Sequence, residues 1–379
     1  MPGNAVFFPA AATYAIFVLP ASVMAMLGMT SAFAGIASPA GHAHEMLFGF
    51  ALAVVAGNQL GPRTVRALAL LFGVWVLARA TFLFLPDSIA AAGANVGFPA
   101  LLAWHLAPRL FGSAKKWRNQ ALPAVLTAIC AVAAAFPFVL HVSGTTASTH
   151  HILMVAVALF SLLLLFMGGR LIAPAVAGQF YRQDSNLAAR VQPRIEGVLI
   201  ILMALAAVAL ALGGSALPDA MASAALIAAG LLAALRLARW RLWALRGRPD
   251  LLCLSAGYGW LALGLVLFGA AHSGLGLDAR GETIALHVIT IGSLGTLTLN
   301  VMVMTRLLKS RRSPALTRLP SFATVLLAVA TVLRVLAGYD AADSRLLLVI
   351  GSLCWSGAFS LLLFLLLRPA PRPAHSHDR

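Results

Sequence analysis

The chain carries ten histidines, and imidazole is the commonest metal ligand and a standard axial ligand of haem iron. The segment "GHAHEMLFGF" (41–50) sets His42, His44 and Glu45 directly before an apolar stretch that runs to Leu60. On a helix His42 shares a face with Glu45 and Met46, at i+3 and i+4. That trio suits copper, or a histidine oriented by a carboxylate behind it. His44, two residues further on, points the other way, so the two histidines are expected to serve different partners. His44 and His287 share the spacing H-x-x-x-x-G, in "HEMLFG" and "HVITIG". A small residue little more than a turn beyond an imidazole, such as Gly292, leaves room for a flat macrocycle or for a closely packed helix. Two unrelated helix starts with packing glycines would look the same.

His150 and His151 open another apolar segment, roughly 100° apart on a helix, so one is placed to ligate while the other faces the interface. The residues expected to hold metal are therefore His42, His44, Glu45, His150, His151 and His287. His141 and His272 read as interfacial, as does His105 on the opposite side, and His375 and His377 fall in a Pro-rich tail. Arg79 ("WVLARATF") and Arg334 ("TVLRVLAG") lie within apolar sequence, where a guanidinium is costly unless it meets an anion or snorkels out. The propionates of a haem would satisfy them; so would Glu45, Asp87 or Asp340. Met24, Met26 and Met29 could supply thioethers to Cu(I), or simply pack. Cys130, Cys253 and Cys354 are isolated in apolar sequence, which indicates neither a zinc knuckle nor a disulfide framework.

The elements that must position these side chains are membrane helices. Of 379 residues 61% are hydrophobic and only 10% charged, with mean hydropathy +0.93, against roughly a quarter charged in soluble domains. Apolar runs long enough to cross a hydrocarbon core of about 30 Å recur along the whole length. The N-terminus lacks a basic n-region, so the first run is expected to stay in the mature protein. The pattern predicts an all-α polytopic fold of about twelve spans, near 12–35, 44–60, 64–85, 88–111, 119–141, 149–171, 195–215, 217–238, 251–272, 282–308, 317–338 and 343–367. Residues 1–368 form one transmembrane domain and 369–379 a short disordered tail.

Of the 27 Lys and Arg, all but Arg79, Arg280, Arg334 and Arg345 fall in or beside alternate loops on one side. The positive-inside rule places that side, with both termini, in the cytoplasm. The formal charge of +16 is thus an orientation signal plus contact with anionic lipid headgroups, not a nucleic-acid patch. His42, His44, His141, His150, His151, His272 and His287 all map to the outer side.

These segments resemble the NnrS family of bacterial membrane proteins. "HAHEMLFGFALAVVAG" is similar to the family's second-helix signature, "MGGRLIAP" (167–174) to its G-G-R-x-I-x-P segment, and "HVITIGSLGTLTLNVMVMTR" (287–306) to its H-x-x-T-x-G-x-x-G-x-M-x-L-x-V-M-T-R segment. "KKWRNQALP" and Arg334 match less specific features. The resemblance implies an inner-membrane protein containing haem and copper that protects against nitrosative stress. His42, His44, Glu45, Gly169, Arg170, His287, Gly292, Gly295 and Arg306 fall on motif positions. Two loops depart from the family pattern, "LLKSRRSPALTR" after Arg306 and "NQLGPRTVR" after the second span. Both lie on the predicted cytoplasmic side, which leaves the outer histidines intact.

The leading expectation is a heme b protein, with copper as a further metal, that takes nitric oxide or an iron-nitrosyl species and draws on an unknown electron donor. Its cofactor contacts would be His44, His287, Arg79, Arg334 and Gly292. Twelve spans also suit a secondary transporter, although few ionisable groups fall at mid-membrane. A copper importer or delivery protein would use the same histidines with Met24, Met26 and Met29.

Overall fold

The structure, a computed structural model, describes residues 1–143, 146–183, 192–274, 279–307, 315–339 and 343–368. Among these residues there is no strand. Twelve helical runs follow one another: α1 Asn4–Met26; α2, residues 39–59; α3 Val65–Phe84; α4 Ile89–Ser113; α5 Trp117–Phe138; α6 Thr146–Tyr181; α7 Pro193–Leu212; α8 Ala216–Ala238; α9 Pro249–His272; α10, residues 279–307; α11 Ala315–Gly338; and α12 Ser344–Leu367. Eleven are long and apolar enough to cross a membrane. The exception is α2, the short second span of the sequence reading. The all-α, polytopic architecture of about twelve helices is therefore as expected. The tail, 369–379, lies outside the described residues.

Local chemistry starts several of these helices. Pro39 opens α2 while the Ser38 hydroxyl accepts from the Gly41 N–H at 3.1 Å. Thr64 caps Ala67 at 3.3 Å and Ser88 caps Ala91 at 3.1 Å. The first and last of these helices are packed together. Trp355 of α12 donates to the Ala15 carbonyl at 3.2 Å, and the Ser356 hydroxyl to that of Ile16 at 2.7 Å. Glycine permits close approach where α8 meets α9: a Cβ on Gly230 would lie 2.7 Å from the Ala262 carbonyl oxygen, and one on Gly269 2.7 Å from that of Ser223.

Two helices are irregular in the same way. α2 consists of Pro39–His44, a π-helical Glu45–Ala51 and Leu52–Gln59. α10 consists of Ala279–His287, a π-helical Val288–Gly295 and Thr296–Leu307. In both, the widened turn begins at the residue after a histidine. Such turns shift side chains out of α register and are concentrated at functional sites.

The sixth span is longer than the sequence suggests, because apolar sequence continues past Pro174 to Tyr181. Arg170, expected near a loop, consequently lies inside α6.

Candidate functional site

The N-terminal half of α2 divides its polar side chains between two partners. His42 turns towards α1 and α10. The Ser22 hydroxyl donates to the Ile36 carbonyl at 3.1 Å and lies 2.9 Å from His42 Nδ1. A hydroxyl has one hydrogen, so His42 Nδ1–H must be the donor in that second contact, which leaves Nε2 as the bare lone pair. Across from it stands His287, with ring centroids 6.4 Å apart and planes 19° from parallel. His287 Nδ1–H donates to the Thr283 carbonyl at 2.7 Å, so its Nε2 is also a bare lone pair. Among the described residues neither Nε2 has a hydrogen-bond partner. Both rings are half-buried, and the Arg334 guanidinium acts electrostatically on each. Arg334 itself has no hydrogen-bond partner among the described residues.

His44 turns the other way, into a closed polar network. Its Nδ1–H donates to Glu45 Oε1 at 2.9 Å. The same carboxylate takes the guanidinium of Arg79 and the hydroxyl of Tyr14. Arg79 reaches on to the Asn95 side-chain carbonyl, whose amide donates to the Ala91 carbonyl at 2.9 Å. His44 and Glu45 are fully buried and Arg79 is 4% exposed. In lipid such groups survive only in mutual contact. Phe82 and Phe136 cover the two faces of the His44 ring at centroid distances of 4.1 and 4.6 Å. Its Nε2 is buried without a partner.

Several expectations are thereby redistributed. The structure pairs His287 with His42 rather than with His44. His42 and Glu45 do not share partners, because the helix widens at Glu45 and the carboxylate faces Tyr14 and Arg79. Arg79 gives Nη1 to Glu45 and Nη2 to Asn95, and its buried Nε has no hydrogen-bond partner among the described residues. The glycines after the two histidines are already filled against. A Cβ on Gly49 would lie 2.8 Å from Arg79 Nη1, 2.9 Å from the Tyr14 ring and 3.0 Å from Glu45 Oε2. One on Gly292 would lie 2.9 Å from the Trp260 ring. In this structure these glycines accommodate an ion pair and an indole.

His150 and His151 belong elsewhere. His150 Nε2 lies 3.2 Å from Glu282, and His272 bridges Glu282 at 3.1 Å and Asp219 at 3.6 Å. The position of a Cβ on Gly213 is 2.6 Å from His151 Cε1. Among the described residues no three or more His, Cys, Asp or Glu side chains converge as a metal site.

Sequence reasoning missed Tyr14, Ser22 and Asn95. Each is an isolated polar residue in an apolar helix, a signal that points to a partner without saying which. It also missed a second network: buried Glu196 takes Arg118 at 2.8 Å and Arg170 at 2.7 Å, and the Arg236 guanidinium lies where a Cβ on Gly169 would be. The side chain of Arg306 is outside the described residues.

The donors present fit a metal ion better than a large cofactor. Three imidazoles have Nδ1 fixed by an oxygen acceptor and Nε2 free of hydrogen bonds, which is how ligating histidines are oriented. For His42 and His287 the free edges lie in a half-buried site. Around His44 the packing is closed, and a porphyrin would have no space until the surrounding side chains moved.

Fold and site define a polytopic helical membrane protein with a histidine pair joining its second and tenth helices. The family model for NnrS protein matches residues 5–371, nearly the whole chain, and the protein belongs to that family. Among curated proteins none matches it.

Proposed function

We propose that the protein is a metal-centre protein of the bacterial inner membrane, acting in nitric oxide metabolism or protection from nitrosative stress, with both termini cytoplasmic. The observation that carries this reading is the His42–His287 pair, two Nδ1-anchored imidazoles whose Nε2 atoms lack other partners. Imidazole suits copper and iron alike. The packing favours copper, held by His42 and His287. Heme b is the alternative and would have to use the same half-buried edge. When bound, the metal supplies a redox-active centre with a position for nitric oxide.

The chain's own residues do the rest. Ser22 and the Thr283 carbonyl hold the two rings in the ligating tautomer. Glu45, locked by Arg79 and Tyr14, fixes His44, which turns away from the pair on the helix that carries His42. Arg334 places a positive charge next to the pair, which favours an anionic co-ligand or a haem propionate there. Neutral nitric oxide partitions into lipid and needs no hydrophilic channel. The electron donor comes from outside this chain.

Purified protein should contain copper or iron in stoichiometric amount, with a Soret band only if haem is present. His42→Ala and His287→Ala should each lose the metal. A metal-free, colourless protein from metal- and haem-replete cells would overturn this reading in favour of transport.

A further inference from the structure

Behind the helix segment that carries His287 lies a pocket of about 230 Å³ between α9, α10 and α11. Its floor is buried: Ile284 is 5% exposed, Val288 2% and Thr331 1%. Its rim, with Leu263, Val332 and Tyr339, is exposed on the outside of the helix bundle. Trp260 forms one wall while its ring packs on Gly292 of the π-helical turn. The Thr331 hydroxyl donates to the Leu327 carbonyl at 2.8 Å, so it offers no donor to a guest.

We infer that this pocket binds small, neutral, apolar molecules, of the size range from a dissolved gas to benzene, drawn from the outer half of the membrane. A water needs only about 10–15 Å³ but also two to four polar partners, whereas an apolar cavity of roughly 150 Å³ stays dry and takes benzene or xenon. The pocket is large enough, and its buried floor of Ile284, Val288 and Thr331 offers a guest no free hydrogen-bond donor. A lipid chain gains little by entering, since it leaves one hydrocarbon environment for another and must order its torsions. A compact solute has almost no such entropy to lose.

The pocket lies beside the histidine pair. Ile284 and Val288 flank His287 at i−3 and i+1. Ile284 also meets Arg334 around Gly338: a Cβ there would lie 2.7 Å from Ile284 Cδ1 and 3.7 Å from Arg334 Nη1. A pocket so placed concentrates neutral gas from the lipid next to the proposed metal ligands. That use rests on the function proposed above; the binding itself does not.

Crystals of the full chain grown from lipid and pressurised with xenon test it. Anomalous density is expected between Ile284, Val288 and Thr331, and is expected to vanish in Gly281→Leu, which adds a large side chain to a residue of the pocket lining. Val332→Trp closes the rim from the lipid side and should abolish the same density if the first variant fails to fold. Xenon bound elsewhere only, or an ordered acyl chain in the pocket, overturns the inference. Xenon at this site in protein that binds no metal supports the pocket while removing the proposed function.

Discussion

His42 and His287, far apart in the sequence and on different helices, stand with ring planes 19° from parallel and centroids 6.4 Å apart. Each is anchored through Nδ1 to an oxygen, His42 to Ser22 on α1 and His287 to the Thr283 carbonyl one turn earlier on its own helix. If these rings hold one metal, removing either should cost the whole site. His42→Ala and His287→Ala should each release the metal, and the double variant should be no worse than either single one. Metal analysis of the three purified variants checks this; retention in His287→Ala would exclude a shared ion.

Ser22→Ala removes the acceptor that holds His42 Nδ1–H and frees the ring to rotate or change tautomer. Loss of such an orienting partner typically weakens metal binding by about 10- to 100-fold. Chelator competition should show that shift with little change in thermal stability. Unaltered affinity would mean that Ser22 serves packing alone.

The Glu45–Arg79 pair is buried and further bonded by Tyr14, His44 and Asn95. Breaking a buried pair from one side strands a charge and costs about 3–5 kcal/mol. Arg79→Met should therefore lower the melting temperature sharply in detergent, and Glu45→Gln should do so to a smaller extent because its amide still hydrogen-bonds. Equal stability of Arg79→Met and the parent would contradict the network.

Gly49 leaves room for that network, and any Cβ there meets the Arg79 guanidinium, the Tyr14 ring and the Glu45 carboxylate together. Gly49→Ala should destabilise by about 1–3 kcal/mol through overpacking. Gly292→Ala pushes on the Trp260 ring, so it should alter tryptophan fluorescence as well as the melting temperature. A haem-clearing role would instead predict stable proteins with lost haem.

The second polar network makes a similar claim on the opposite side. Glu196 is 1% exposed between Arg118 and Arg170. Glu196→Ala leaves two guanidinium groups facing each other and should reduce the yield of folded protein. Size-exclusion of detergent extracts measures this, and normal yield would mean that water or lipid phosphate replaces the carboxylate.

By itself the sequence determined the class of fold, because burying some twenty apolar residues per span in hydrocarbon leaves the backbone no option but a helix. It also singled out His42, His44, Glu45 and His287, since lipid tolerates such groups only where something receives them. It could not decide who receives whom. Helical spacing put His42 on one face with Glu45 and gave His44 and His287 the same motif, whereas the π-helical turns and the approach of α1, α3 and α10 set His42 opposite His287 and Glu45 against Arg79 and Tyr14. Arg79 shows why: whether a buried guanidinium meets a propionate or Glu45 depends on helix rotations set by packing between residues distant along the chain. That information resides in the tertiary contacts of Tyr14, Ser22, Phe82, Asn95 and Phe136, none of which announces its partner in the sequence.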